Sequence, residues 1–347
     1  MHGDETSVAA PGPAAAAKPM KTGSVRFYLT NEFGLVVLIV LFACMFGLLT
    51  NGRFFSAFNQ FTLGRVAAVN IMVGFAMMVV IVTGGLNLAV GAMGVCSAMT
   101  FGFLVEWAGL PWPVAALAGI GLGVALGWIN GFVIVRSGLH SFIITLASMS
   151  IFFGVMIYLT KAQSFRAIPP GFSAFGSMRL FSSVSPLLVV AVVMAALLVF
   201  LYRYTVTGRE MLAAGARPEA AELSGVRVGR VFILCHMLSG ALAAVTALLV
   251  VARTGAAIPS MAGQQLGQDW LLPAFLGPVL GGTLLSGGRV SVIGTMLGAV
   301  LVTMLTNGLL LLQIGEFWVQ ACLGALLLIA VLIDLARRSY LAHRRMV

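Results

Sequence analysis

The residues able to do chemistry are concentrated in one stretch of this sequence, RYTVTGREMLAAGARPEAAELSGVRVGR, from Arg203 to Arg230. Its 28 residues hold eight charges, five Arg and three Glu, of the thirty in the 347-residue chain. Long uncharged runs flank it, so this island has to lie in water. Pro218 suits the first turn of a helix, where its missing N–H leaves nothing unpaired. Glu219 and Glu222 favour the positive end of that helix, and Ser224-Gly225 supplies a stop with glycine in the left-handed cap. The pattern predicts a helix of about two turns over 218–224. A helix that short does not stand alone in water. It either joins two apolar segments or acts as a coupling helix that leans on a partner and transmits its motion.

Elsewhere the chemistry is sparse. The sequence has no HExxH, no GxSxG, no GxxxxGK[ST] and no paired interior carboxylates, so a hydrolytic, metal-dependent or nucleotide-cleaving centre is not expected on this chain. No cofactor is expected either. Cys44, Cys96, Cys235 and Cys322 fall far apart inside apolar runs and read as small buried hydrophobes. Five polar residues stand inside apolar runs: Asn70, Asn87, Asn130, Thr145 and Asn307. A polar group there is costly unless it pairs or faces a water-filled cavity. Each therefore has two readings, lining a translocation path or hydrogen bonding between helices, and packing is the commoner use. Gly119, Gly123 and Gly127 recur at i+4, which lets two helices approach closely.

Those residues need a scaffold, and the composition names it. Sixty per cent of the residues are hydrophobic, 9% are charged, and the mean hydropathy is +1.07. A soluble domain carries about 25% charge. The apolar runs are continuous rather than alternating, which argues against a β-barrel. The chain is expected to be an all-α polytopic membrane protein of about ten transmembrane helices, each needing about 20 apolar residues. They are placed at 34–50, 66–82, 88–106, 113–135, 140–160, 184–203, 230–252, 270–288, 290–312 and 316–335. Residues 66–105 hold no charge, and Thr83-Gly84-Gly85-Leu86-Asn87 must break them into two spans. The 270–288 stretch is interrupted by Pro273, Gly277, Pro278, Gly281 and Gly282, so a broken or kinked helix is expected there.

A 1–31 tail rich in Ala and Pro is expected to be disordered and cytoplasmic. A cleaved signal peptide is the alternative, but no clear small-residue cleavage site follows the first apolar run. The membrane domain is then 32–336, with a coupling loop at 204–229 and a basic tail at 337–347. An even number of spans puts both termini on one side. With the termini inside, fourteen of the twenty Lys and Arg fall on the cytoplasmic side, a bias that supports this orientation. The net charge of +10 has the same source and does not point to nucleic acid. Two long outward loops, 161–183 and 253–269, read as solvated connectors or as a docking surface for a soluble partner.

Four segments, in order, resemble the permease subunits of ABC importers of the ribose/xylose/arabinose type. Gly208-Arg209, Ala214-Gly215 and Glu219-Ala220-Ala221-Glu222-Leu223-Ser224-Gly225 resemble that family's cytoplasmic loop motif. Val82 to Gly91 resembles its T-G-G-I-D-L-S-V-G signature, and Gly127-Trp128-Ile129-Asn130-Gly131 its G-x-x-N-G. Leu280-Gly281-Gly282-Thr283, Ser286-Gly287-Gly288-Arg289, Gly294-Thr295 and Asn307-Gly308-Leu309 follow its C-terminal block. The resemblance covers about residues 34–335. Three positions depart from it: Asn87 stands where the family has Asp, His140-Ser141 replaces a Pro, and 270–275 replaces an acidic stretch.

The resemblance implies a type II ABC-importer-like fold in the bacterial inner membrane and no ATPase activity on this chain. It implies three partners beside the lipid bilayer: an ATP-binding subunit, a periplasmic solute-binding protein and a second permease copy. It assigns coupling to the ATPase to Gly208, Arg209, Gly215, Pro218, Glu219, Ala220, Glu222 and Gly225. A sugar is the implied solute. A nucleoside or a branched-chain amino acid is the rival, and an ion-coupled secondary transporter is a further alternative that lacks the intramembrane carboxylates it would need.

Overall fold

A computed structural model describes residues 31–180, 184–261, 264–265, 270–315, 318–329 and 331–332. The 1–31 tail apart from Asn31, and the 337–347 tail, lie outside the described residues. The helices run in the order α1 (Asn31–Leu49), α2 (Ala57–Ile81), α3 (Val90–Glu106), α4 (Trp112–Ser137), α5 (Ser141–Thr160), α6 (Pro170–Ser177) and α7 (Pro186–Tyr204). They continue with α8 (Val206–Ala216), α9 (Pro218–Leu223), α10 (Val228–Thr254), α11 (Leu271–Leu280), α12 (Val292–Leu311) and α13 (Trp318–Ile329). Strand pairing among the described residues is slight, two two-residue segments at Ser260–Met261 and Gln264–Gln265.

Among the described residues seven helices, α1, α2, α4, α5, α7, α10 and α12, are long and apolar enough to cross a membrane, and α3, α11 and α13 are shorter apolar helices. These ten fall on the ten stretches expected from hydropathy, and the protein is an all-α polytopic membrane protein. Hydroxyl side chains set several helix starts. Ser56 accepts from the Asn59 N–H, Ser185 from Leu187, Thr205 from Gly208 and Ser291 from Gly294.

The 270–288 stretch is not one span. Helix α11 has ten residues, a length of about 15 Å against a core of ~30 Å. Gly281 and Gly282 then turn the chain, Gly282 with φ 81°, and the Thr283 N–H returns to the Pro278 carbonyl at 2.9 Å. The glycines seen in the sequence end this helix instead of bending it.

Helix α2 is the pillar of the fold. Nearly all of it from Ala67 to Ile81 is buried, packed by α7, α10, α11 and α12. Its neighbour α12 runs antiparallel to it: Asn59 meets Asn307, Asn70 meets Thr303 and Met78 meets Thr295. Helix α4 packs along α10. Helices α1, α5 and α7 leave most of their apolar surface outward, with Leu48, Tyr158 and Leu159 strongly exposed. That surface suits lipid or another protein rather than water.

Candidate functional site

The charged island folds into an arm of two helices. Helix α8 was not expected from sequence, because Gly208 and Gly215 lower its intrinsic propensity. Tertiary contact explains both glycines. A Cβ at Gly208 would run into the Leu201 carbonyl and lie 2.7 Å from the Tyr202 Cα, so α8 folds back onto the end of α7. A Cβ at Gly215 would meet the Val82 carbonyl and lie 2.7 Å from the Gly288 nitrogen. Thr205 fixes the corner, donating to the Leu201 carbonyl at 2.6 Å and accepting from the Gly208 N–H at 3.1 Å.

Three of the quoted motifs meet at Gly215. The Gly288 N–H donates to the Val82 carbonyl at 2.8 Å. A Cβ at Gly287 would lie 2.7 Å from the Gly84 nitrogen and 2.8 Å from the Gly215 oxygen. Gly84, Gly287 and Gly288 all have positive φ, 76°, 85° and 77°. The arm is therefore clamped, backbone on backbone, to the end of the central helix α2 and to the turn that leads into α12.

Beyond the clamp the arm stands clear. Pro218 opens α9, and the helix closes on a Schellman turn: Gly225 donates to the Glu222 carbonyl at 2.9 Å and Val226 to the Ala221 carbonyl at 3.0 Å. Gly225 takes the left-handed φ of 87° that this turn requires. Of the six residues of α9 only Ala221 is buried, and Leu223 is 92% exposed. The eight coupling candidates thus divide. Gly208 and Gly215 are buried and hold the arm. Arg209, Pro218, Glu219, Ala220, Glu222 and Gly225 are exposed.

The five intramembrane candidates also divide. Asn87 is fully buried in the irregular segment between α2 and α3, donating to Ser239 Oγ at 2.9 Å. Ser239 in turn donates to the Ala76 carbonyl at 2.6 Å. The serine's proton is thus committed, and the amide N–H₂ supplies the donor that an Asp carboxylate here would lack. Thr145 is fully buried and accepts from the Leu88 N–H at 3.1 Å, while Ser141 accepts from the Leu86 N–H at 2.9 Å. The two hydroxyls of α5 satisfy non-helical backbone that has no water to turn to. Asn70 donates to Thr303 Oγ1 at 2.9 Å, and Asn307 forms a reciprocal amide pair with Asn59, both bonds 3.0 Å.

Asn130 differs. It is fully buried on α4, and neither its Oδ1 nor its Nδ2 has a hydrogen-bond partner. His236 Nε2 on the facing helix α10 is also without one. The flanking Gly127 and Gly131 press on the His236 carbonyl and its Cβ, so the two orphaned groups sit at one level of the interface. A groove of ≈ 600 Å³ beside Cys96, Thr100, Leu126, Phe152 and Thr160 has none of the five candidates in its lining.

The opposite end of α2 carries a cationic cluster that the sequence did not single out. The Arg65 guanidinium lies 5.5 Å from the Phe61 ring and donates to the Arg253 carbonyl at 2.6 Å. Arg179 lies 5.0 Å from the same ring and 6.0 Å from Phe58. Among the described residues none of these three arginines meets a carboxylate. The two long loops are joined nearby, with Phe165 and Ala257 exchanging backbone hydrogen bonds of 2.9 and 2.8 Å. The arginines were visible only as scattered residues, because the fold, not their spacing, gathers them.

Residues 59–332 match the family described as branched-chain amino acid transport system / permease component. The chain belongs to this family. It is 33% identical over 306 residues to the fructose import permease protein of Rhizobium meliloti, covering 86% of this chain and 84% of that one. It is 33% identical over 304 residues to the ribose import permease protein of Bacillus subtilis, 87% and 90% of the two chains. A probable ABC transporter permease protein of Escherichia coli K12 is 36% identical over 320 residues, 90% and 93% of the two chains. No solved structure gives a significant match. All thirteen candidate residues lie inside the family region. The protein is thus a multi-pass permease component of a transport system, and relatives of this kind are transport subunits, not enzymes.

Proposed function

We propose that this chain is the membrane-spanning subunit of an ATP-driven importer for a sugar, with ATP hydrolysis carried out by a separate cytoplasmic subunit. The sugar reading rests on relatives named for ribose and fructose import. The coupling reading rests on one observation, a six-residue capped helix held out from the molecule by an arm whose base is clamped to α2. Such a helix has too few internal contacts to be stable alone. A groove on the ATPase would complete it, and the glycine clamp would carry its displacement to the central helix. On this reading the helices lie in the bacterial inner membrane with the arm and both termini in the cytoplasm, an orientation supported by the distribution of Lys and Arg.

A periplasmic binding protein would then approach the opposite end of α2. The three arginines there, which meet no carboxylate among the described residues, suit acidic side chains on such a partner, whose charge steers encounter. A second permease copy would cover part of the exposed apolar surface of α4, α5 and α7. The five intramembrane polar residues remain candidates for the path, and Asn130, with both polar atoms unused, is the first to test.

The test is uptake by proteoliposomes holding the permease, its ATPase and its binding protein. Glu219→Arg with Ala220→Trp is expected to lower ATP-dependent uptake more than tenfold while the permease still inserts and purifies. Full uptake by that variant, or uptake by the permease alone, defeats the reading. A branched-chain amino acid, named in the family description, is the second reading of the solute. Calorimetry of the binding protein against pentoses, hexoses and leucine separates the two.

A further inference from the structure

Four elements meet around a second cavity, beside the clamp and lined by none of the five intramembrane polar candidates. Its ≈ 340 Å³ is bounded by the first turn of α1 (Glu32), the last turn of α7 (Val199, Tyr202, Arg203), Leu212 of α8 and residues 290–293 at the start of α12. Three apolar helices therefore end here, which is where a bilayer's headgroups lie. The chemistry of the lining is mixed. Arg203 is exposed and makes no ion pair among the described residues, its guanidinium resting 5.8 Å from the Tyr204 ring. Glu32 is half-buried and accepts a hydrogen bond from Ser291 Oγ at 2.7 Å, leaving further lone pairs for another donor. Tyr202 is 8% exposed, and its hydroxyl has no partner. The remaining wall is aliphatic, Val199, Val290, Val292 and Ile293.

We infer that this cavity is a binding site for the headgroup of a zwitterionic phospholipid with a primary ammonium, a phosphoethanolamine. Both charges of the ligand are answered. The phosphate faces Arg203 and the positive N-terminal end of α12. The ammonium donates to Glu32. A purely anionic headgroup would leave Glu32 facing like charge. A choline headgroup offers Glu32 no N–H, so the charge-assisted hydrogen bond that distinguishes the site is lost. The aliphatic wall and the position at the helix ends favour a lipid over a soluble phosphate ester. Leu212 belongs to the coupling arm, so the bound lipid would brace α8 against α1 and α12.

The full-length permease is purified in detergent, and binding of short-chain phosphatidylethanolamine, phosphatidylcholine and phosphatidylglycerol is compared by native mass spectrometry and by shift of the thermal midpoint. Phosphatidylethanolamine is expected to bind about tenfold tighter than the other two, the worth of one charge-assisted hydrogen bond. Glu32→Gln should erase that preference and leave phosphatidylcholine binding unchanged. Arg203→Gln should weaken all three lipids while keeping their order. Lipid-free thermal midpoints of the variants separate loss of the site from loss of the fold. Equal binding of ethanolamine and choline lipids, tighter binding of phosphatidylglycerol, or a preference that survives Glu32→Gln each overturns the proposal. Competition by soluble glycerophosphoethanolamine at equal concentration overturns the lipid as the source.

Discussion

The helix pairs α2–α12 and α4–α10 are held by opposite means. The first is pinned by side chains. Asn59 and Asn307 exchange two hydrogen bonds, Asn70 bonds Thr303, and Thr295 reaches Met78. The second is pinned by the absence of side chains. Gly123, Gly127 and Gly131 of α4 bring its backbone onto His236, Met237, Gly240 and Ile233 of α10. Between apolar helices in lipid no hydrophobic force draws partners together, so hydrogen bonds and close packing are the means available. A hydrogen-bonded pair has one register. The glycine pair carries no such side-chain bond, and Asn130 and the His236 Nε2 on it are without partners. Hydrogen bonds set the register on the α2 side, where the coupling arm is clamped, and close backbone packing alone sets it on the α4 side.

The largest expected effect breaks the glycine pair. A Cβ at Gly240 would run into the Gly123 carbonyl, and neither backbone has room to retreat. Gly240→Leu should destabilise by about 3 kcal/mol or more, read as a lower thermal midpoint and aggregation in detergent. Gly121→Leu on the same helix α4 is the control, because nothing lies within 4 Å of a Cβ there. If the two substitutions behave alike, close packing does not hold this interface.

The amide pair is expected to be worth less. Asn59→Leu leaves the Asn307 amide with one face unpaired, and Asn307→Leu does the reverse. Each should cost about 1–2 kcal/mol. The double substitution should cost less than the sum, with a coupling energy of ~0.6 kcal/mol and no more than ~1.7 kcal/mol, the range of interhelical hydrogen bonds in membranes. Strict additivity would show that the reciprocal bonds contribute nothing to the α2–α12 register.

These contrasts were only partly visible in the sequence. Several span positions were legible to within a few residues, 140–160 against Ser141–Thr160 and 290–312 against Val292–Leu311, because length and hydropathy decide them, but 66–82 missed the start of α2 at Ala57 and 270–288 overran α11. Which spans are enclosed was not. Helix α1 is more apolar than α2, yet α2 is the buried one, since lipid and protein interior ask for the same side chains. Helix α9 was legible from Pro218, its carboxylates and Gly225. Helix α8 was not, because its glycines fit a tertiary contact that local propensity does not report. Among the site residues, the polar positions inside apolar runs stood out, but their partners Asn59, Ser141 and Ser239 did not. A small polar residue reads the same in sequence whether it bonds across an interface, bonds its own helix or faces solvent.

The smallest effect on stability, and the sharpest for the comparison, belongs to Asn130. A buried amide with no partner has already lost its hydration, a penalty of about 1–3 kcal/mol. Replacing it with a side chain of similar volume and no polar atoms removes that penalty. Asn130→Leu should therefore leave the thermal midpoint unchanged or raise it by the equivalent of about 1 kcal/mol, the reverse of Asn59→Leu. Uptake should fall in the same variant if the amide is kept for a moment in the cycle when α4 and α10 stand in another register. Stability and activity then move in opposite directions at one residue, as expected where a strained group is retained for use. A midpoint lowered by as much as in Asn59→Leu would show that Asn130 is paired in the resting protein. The α4–α10 interface would then be pinned in the same way as α2–α12, and the difference between the two pairs would vanish.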